Sequence, residues 1–170
     1  VSESIDVSAA LGRILSDDII APHPLPDFQR TTVDGYAVRA KDTFGATDSL
    51  PAYLTLVGEV PMGDSPAFEL EAGQCALIHT GGMLPNGANA VVMLEYTQQI
   101  VGAGSPRPNE IIYKTGRKDL ATTKTEIEIF RAMAEGENII RVGEDVAEGQ
   151  AILPQGRVMR PAEIGGLLAL

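Results

Sequence analysis

The feature that most limits what this chain can fold into is its punctuation. Between Tyr36 and Arg131 no apolar run lasts long before Gly or Pro interrupts it. Leu54-Thr55-Leu56-Val57-Gly58-Glu59-Val60 lies between Pro51 and Pro61, with Gly63 beyond. Gln74 to His79 and Ala90 to Tyr96 are two further short runs, while Ile111 to Lys114 and Glu126 to Arg131 alternate apolar and polar residues. Proline cannot donate to a β-ladder and breaks a helix interior, so segments this short, with Gly and Pro between nearly all of them, read as strands. Many short strands and frequent turns predict a small barrel or sandwich. The segment from about Gln99 to Thr125, which contains Gly102-Ala103-Gly104-Ser105-Pro106-Arg107-Pro108, is weakly apolar and reads as an extended hairpin tip or mobile insertion.

The flanking segments read differently. Val7, Ala10, Leu11, Ile14 and Leu15 recur at helical spacing, and Asp6 or Ser4 can cap a first helix that ends near Asp17-Asp18. Pro22, Pro24 and Pro26 stand at alternate positions, so Ile19 to Pro26 runs extended. After Gly136, Asn138 to Asp145 reads as a strand entering a turn, Ile152 to Gly156 as a turn, and Pro161 as the first position of a helix over Ala162 to Leu170. That helix carries Ile164, Leu167, Leu168 and Leu170 and needs covering by the first helix, a second subunit or a further domain. The expected class is mainly β with a few helices (α+β).

Composition narrows the function. With 170 residues, 44% of them hydrophobic, the chain suffices for one ordinary domain or two small ones. Asp and Glu number 23 against 13 Lys and Arg, a net charge of -10, which disfavours nucleic acid and anionic membranes as partners. No apolar run approaches the roughly 18 residues that span a bilayer. The start, Val1-Ser2-Glu3-Ser4-Ile5-Asp6, is polar and acidic, unlike a signal peptide, and the absent Met suggests a trimmed chain. The lone Cys75 cannot form an internal disulfide, which points to a reducing, cytoplasmic compartment, and it sits in an apolar run where a thiol behaves as a small buried hydrophobe.

Cys-x-x-Cys, His-Glu-x-x-His, Gly-x-Ser-x-Gly and Walker-type motifs are absent, and the two histidines, His23 and His79, read as surface or packing residues. Three polar clusters remain. In Thr31-Thr32-Val33-Asp34-Gly35-Tyr36, Asp34 is either a ligand to a metal or a donor group, or a turn aspartate bonding its own backbone, and Gly35 permits a close backbone approach. In His79-Thr80-Gly81-Gly82, a strand runs into a flexible turn whose amides can face an oxyanion, with the Thr80 hydroxyl beside them; the alternative is a plain Gly-rich connection. In Gly143-Glu144-Asp145, adjacent carboxylates either suit Mg²⁺ or form a solvated acidic turn.

Taken in order, these clusters resemble the MoeA family, which includes the E domain of gephyrin. The resemblance rests on Ala10-Leu11-Gly12-Arg13-Ile14-Leu15, Leu25-Pro26-Asp27-Phe28, Thr31-Thr32-Val33-Asp34-Gly35-Tyr36-Ala37-Val38, Ile78-His79-Thr80-Gly81-Gly82-Met83-Leu84-Pro85-Asn86-Gly87-Ala88-Asn89-Ala90-Val91-Val92, and Gly143-Glu144-Asp145. Gln29 and Asn89 stand where the family often has Asp. The resemblance implies an extended first domain, residues 1–35 and 137–170, with a β-barrel-like second domain, 36–136, inserted in it; a Rossmann-like and a small β domain would follow where this sequence stops. It implies a molybdopterin molybdenumtransferase, which with Mg²⁺ converts molybdate and adenylyl-molybdopterin to molybdenum cofactor and AMP. A homodimer with an active site shared between subunits follows, and a molybdopterin adenylyltransferase is a candidate partner. By position, Asp34, Thr80 and Asp145 match family positions implicated in activity, with Gly81 and Gly82 expected at the cofactor; no metal ligands are assigned. Asp34 and Asp145 are expected to line the inter-subunit cleft, with Thr80 donating a hydrogen bond, while the fragment alone is expected to have no turnover. The rival readings are a non-catalytic binding or scaffold module, as in the gephyrin branch, and a regulatory paralogue.

Overall fold

The computed structural model describes residues 2–100 and 125–169. They form two compact units, one from Val1–Gln29 with Ile140–Leu170 and the other from Arg30–Ile139. The fold is mainly β, with a few short helices. The expected strand Ile111 to Lys114, and the body of the expected insertion, lie outside the described residues.

The second unit is built on a six-stranded sheet. Its strands are β3 (Gly35–Val38), β4 (Ala52–Val60), β5 (Gln74–Ile78), β6 (Ala90–Met93), β7 (Thr97–Ile100) and β8 (Glu126–Ile129), in the order β6-β3-β5-β4-β8-β7. The two edge strands, β6 and β7, are neighbours in sequence, joined by a 3₁₀ turn at Leu94–Tyr96. Laid flat, six strands would hold their edges about 24 Å apart, whereas the four Cα steps from Met93 to Thr97 reach at most about 15 Å. The sheet must therefore curl into a half-barrel. The expected strand Ala90 to Tyr96 is corrected here: it stops at Met93 and turns. Gln99 and Ile100, expected to begin a hairpin tip, instead pair with β8, with Gln99 opposite Ile127 and Ile100 opposite Glu126.

Both faces of this sheet are packed. Tyr36, Val38, Leu54, Cys75, Val92, Ile127 and Ile129 share one buried cluster, and Ala37, Ala76, Ile78, Val60, Leu84 and Val91 share another. Alternating residues of β3, β5 and β6 thus enter different cores, which explains why these strands read as unbroken apolar runs. In β4 the face changes along the strand. Its register against the parallel β5 slips between Leu56 and Gly58, so Leu56 pairs with Cys75 and Gly58 with Ala76. One inserted residue moves everything after it to the opposite face. Leu54 and Leu56 accordingly pack in the first cluster and Val60 in the second.

In the first unit, β1 (Ile19–Ile20) pairs antiparallel with β10 (Ala151–Leu153), the strand that follows the two-residue β9 (Ile139–Ile140) in the chain. The prolines that follow β1 keep the chain extended, and the Leu25 N–H and C=O both bond to Val146 (2.8 and 3.1 Å). The expected first helix is corrected: only a 3₁₀ turn forms, Val7–Ala9, with Asp6 accepting the Ser8 N–H at 2.8 Å. Gly12 takes φ +74°, which ends any helix, and its N–H donates to the Met159 carbonyl. Leu15 then donates to Arg157 and Met159 to Arg13, so backbone pairing with a distant segment replaces helical bonding. Ile152 and Leu153, expected in a turn, lie in β10, and the turn follows at Pro154 to Arg157.

Helix α1 (Pro161–Leu168) forms where Pro161 predicts it. Glu163 is buried, accepts the Arg160 N–H at 3.1 Å, and is held by the guanidinium groups of Arg160 and Arg157. Those two partners keep its carboxyl far below the ordinary carboxylate range, Arg160 contributing most. Helix α1 packs against the Val7–Ala9 turn, yet Leu168 stays 64% exposed. Among the described residues no helix is long and apolar enough to cross a membrane.

Cys75 is fully buried, and burial pushes its thiol up to about 12. Because the thiolate is the reactive form, thiol reagents at pH 8 are expected to leave the native protein unlabelled and to label it fully in denaturing urea. Rapid labelling of the native state would place Cys75 outside the core.

Candidate functional site

The site lies at the start of β3 and the end of β5, which are antiparallel neighbours with Gly35 opposite Ile78. Ahead of β3, the short strand β2 (Arg30–Thr31) runs along the loop that leaves β5. Thr31 donates its N–H to the Gly82 carbonyl (3.1 Å) and accepts at its own carbonyl from Gly81 (2.8 Å). The buried Thr31 side chain also folds the backbone toward Asp34, donating to the Val33 carbonyl at 2.9 Å and accepting the Val33 N–H at 3.2 Å. This arrangement brings Asp34 and Thr80 together although they are 46 residues apart.

Asp34 Oδ1 accepts the Thr80 backbone N–H at 2.8 Å and the Thr80 hydroxyl at 3.1 Å. These two bonds, the backbone one first, hold the Asp34 carboxyl below the ordinary carboxylate range, and nearby His79 acts in the same direction. His79 Nε2 in turn lies 2.8 Å from Glu59 Oε1. Asp34 and Thr80 are both exposed, so an ionised carboxylate, fixed in orientation, faces solvent.

Gly35 is required by packing. A Cβ there would lie 1.9 Å from the Val92 carbonyl oxygen of the adjacent β6, so the close approach that Gly35 permits is to this protein's own backbone. Gly82 is similar, with a Cβ at 2.8 Å from the His79 carbonyl oxygen, while Gly81 adopts φ +81° in open space.

The expectation that the Thr80-Gly81-Gly82 amides face an oxyanion is not what the geometry offers. Thr80 N–H donates to Asp34, Gly81 N–H to the Thr31 carbonyl and Gly82 N–H to the His79 carbonyl at 2.8 Å. Every donor of the turn is committed inside the protein, the Thr80 hydroxyl included. Gly81 and Gly82 supply the shape that points Thr80 at Asp34.

Asp145 belongs to the first unit. It sits on the turn after Arg141, where Gly143 takes φ +70° and the Glu144 carboxylate accepts the Arg141 N–H at 2.9 Å. The Asp145 N–H donates to the Leu25 carbonyl at 3.0 Å. Glu144 therefore caps its own turn. Among the described residues no group of three or more His, Cys, Asp or Glu side chains could hold a metal ion.

Two participants escaped the sequence reading. Thr31 is one of several polar residues before Asp34, and Glu59 is a polar residue of a strand, so neither carries a motif of its own. Only the β4 register, which no local pattern reports, could have placed Glu59 beside His79.

Gly35→Ala is expected to lower unfolding stability by about 1–3 kcal/mol through overpacking, read from the urea midpoint; an unchanged midpoint would mean that β6 lies further away. For Asp34 the depressed carboxyl stabilises the fold above the ordinary carboxylate range, and that contribution disappears as pH falls through the folded-state value. The stability difference between wild type and Asp34→Asn should therefore shrink as pH drops below about 4. A constant difference from pH 7 to pH 2 would refute the coupling.

Over residues 1–170 the chain matches the family described as MoeA N-terminal region (domain I and II). It is 32% identical over 167 residues to molybdopterin molybdenumtransferase 2 of Mycobacterium tuberculosis, covering 98% of this chain and 36% of that protein. It is 32% identical over 168 residues to the molybdopterin molybdenumtransferase of Bacillus subtilis, covering 99% and 34%. The crystal structure of the molybdopterin biosynthesis MoeA protein from Pyrococcus horikoshii OT3 superposes with a TM-score of 0.79 at 34% identity, covering 99% of this chain and 38% of that one. The chain thus spans about a third of the length of the relatives it matches.

Proposed function

Since the chain belongs to the MoeA N-terminal family, we propose that it is the N-terminal part of a molybdopterin molybdenumtransferase acting in molybdenum cofactor biosynthesis. The reaction would take molybdate and adenylyl-molybdopterin to molybdenum cofactor and AMP. The pterin's own thiolates ligate the incoming molybdenum, so the protein needs no nucleophile, consistent with the single cysteine being buried. The observation that carries the assignment of the site is the Asp34 carboxylate, ionised, exposed and fixed by Thr80.

Molybdate and the adenylate phosphates are anions, and a carboxylate repels them. Asp34 therefore acts on donor groups of the substrate, such as pterin N–H or hydroxyl groups, by accepting hydrogen bonds from them. Thr80 holds the carboxylate in orientation; both of its donors serve that purpose. Mg²⁺ in this reading is held by one or two carboxylates together with the substrate phosphates, and the contribution of this chain is to bind and orient. In this reading the chain comprises an extended domain I (1–35 and 137–170) and a β-barrel-like domain II (36–136), and pterin-binding domains of a partner subunit complete the site in a cytoplasmic homodimer. Asp145, in the first unit, is a separate proposal of the same kind, as an exposed carboxylate.

The test is made in the full-length protein that carries this region. Asp34→Asn keeps the shape and removes the charge, and is expected to cut turnover while leaving the dimer intact by sedimentation. Excess of this fragment, with Asp34 present, should restore activity to that mutant if the site is built between subunits. Wild-type turnover in Asp34→Asn would sink the assignment.

A further inference from the structure

We infer that Glu59 and His79 form a positioning pair that fixes Thr80 against Asp34; the inference rests on the reading of Asp34 given above. Three observations carry it. His79 immediately precedes Thr80, and its Nε2 lies 2.8 Å from Glu59 Oε1. Glu59 pairs across the parallel ladder with Leu77, and Val60 with Ile78. Side chains alternate along a strand, so Glu59, Leu77 and His79 share a face.

That sharing depends on the irregularity in β4. Continued without the slip, the register that sets Leu56 opposite Cys75 would set Glu59 opposite Ile78, on the other face. The inserted residue brings the carboxylate round to the histidine. A bulge beside a site that re-aims one side chain is a recurring use of this feature.

The chemistry of the pair is definite. An ionised carboxylate can only accept, so His79 Nε2 is the donor in this hydrogen bond. The ring is thereby anchored to the end of β4, one residue ahead of Thr80. The loop is then tied on three sides: by His79 to Glu59, by Gly81 to Thr31, and by Thr80 to Asp34. Removing the first tie leaves Thr80 held only by backbone bonds and by the carboxylate that it is meant to orient.

In the full-length protein, His79→Ala is expected to lower turnover in molybdenum insertion into adenylyl-molybdopterin by about 10- to 100-fold, the scale on which a misplaced group acts. His79→Gln, whose amide N–H can still reach Glu59, should recover most of that loss. In an Asp34→Asn background, His79→Ala should cost little more, because the pair works through that carboxylate. Glu59→Gln, which keeps an acceptor, should fall between wild type and His79→Ala, and it supplies the reading should His79→Ala fail to fold. Wild-type turnover in His79→Ala with Asp34→Asn impaired would overturn the pair and leave the Asp34 site standing. His79→Gln as impaired as His79→Ala, or losses that multiply in the double variant, would also overturn the pair. Wild-type turnover in Asp34→Asn would remove the site reading itself.

Discussion

The second unit depends on the double confinement of β3. It is hydrogen-bonded on both sides, to β5 and β6, and packed on both faces, with Val38 and Ala37 fully buried in opposite cores. A strand with no exposed face or edge has no freedom to slip. Gly35 tightens the arrangement further, since the Val92 carbonyl occupies the space that a Cβ would need. Asp34 is the residue just before this fixed strand, so its position is inherited from the core. The short β6–β7 turn works in the same direction, because it ties the two edge strands of the curled sheet together.

The site is consequently rigid and already satisfied. Thr80 gives both donors to Asp34, the two glycines give theirs to Thr31 and His79, and His79 is bonded to Glu59. A loop rich in glycine is open to many conformations in isolation, and five hydrogen bonds between named partners select one. At Asp34 an oriented negative charge is left to face solvent. That suits recognition of donors and is ill suited to cradling an oxyanion, which agrees with the chain's excess of 23 acidic over 13 basic residues.

Where local pattern and tertiary structure agree, the physical cause is local. Pro161 starts α1 because it lacks the N–H that a first helical turn would leave unused. The strands β4, β5 and β8 are legible from apolar runs or alternation bounded by Gly and Pro. Where the two disagree, a distant partner decided. The residues from Val7 to Leu15 carry a helical apolar pattern, yet Gly12, Arg13 and Leu15 bond to the Arg157–Met159 backbone instead. The polar Thr97–Ile100 has little strand signature of its own and forms β7 because β8 offers it an edge.

The strand-rich class, the position of α1, the family and the choice of Asp34, Thr80 and Asp145 as candidates follow from residue type, spacing and motif alone. It took the folded chain to set Asp34 against Thr80 rather than its own turn, to spend the Thr80–Gly82 amides internally, and to bring Glu59 to His79. Each of those facts depends on ladder register between strands far apart in sequence, and register is set by burial on two faces at once, a property that no single segment carries.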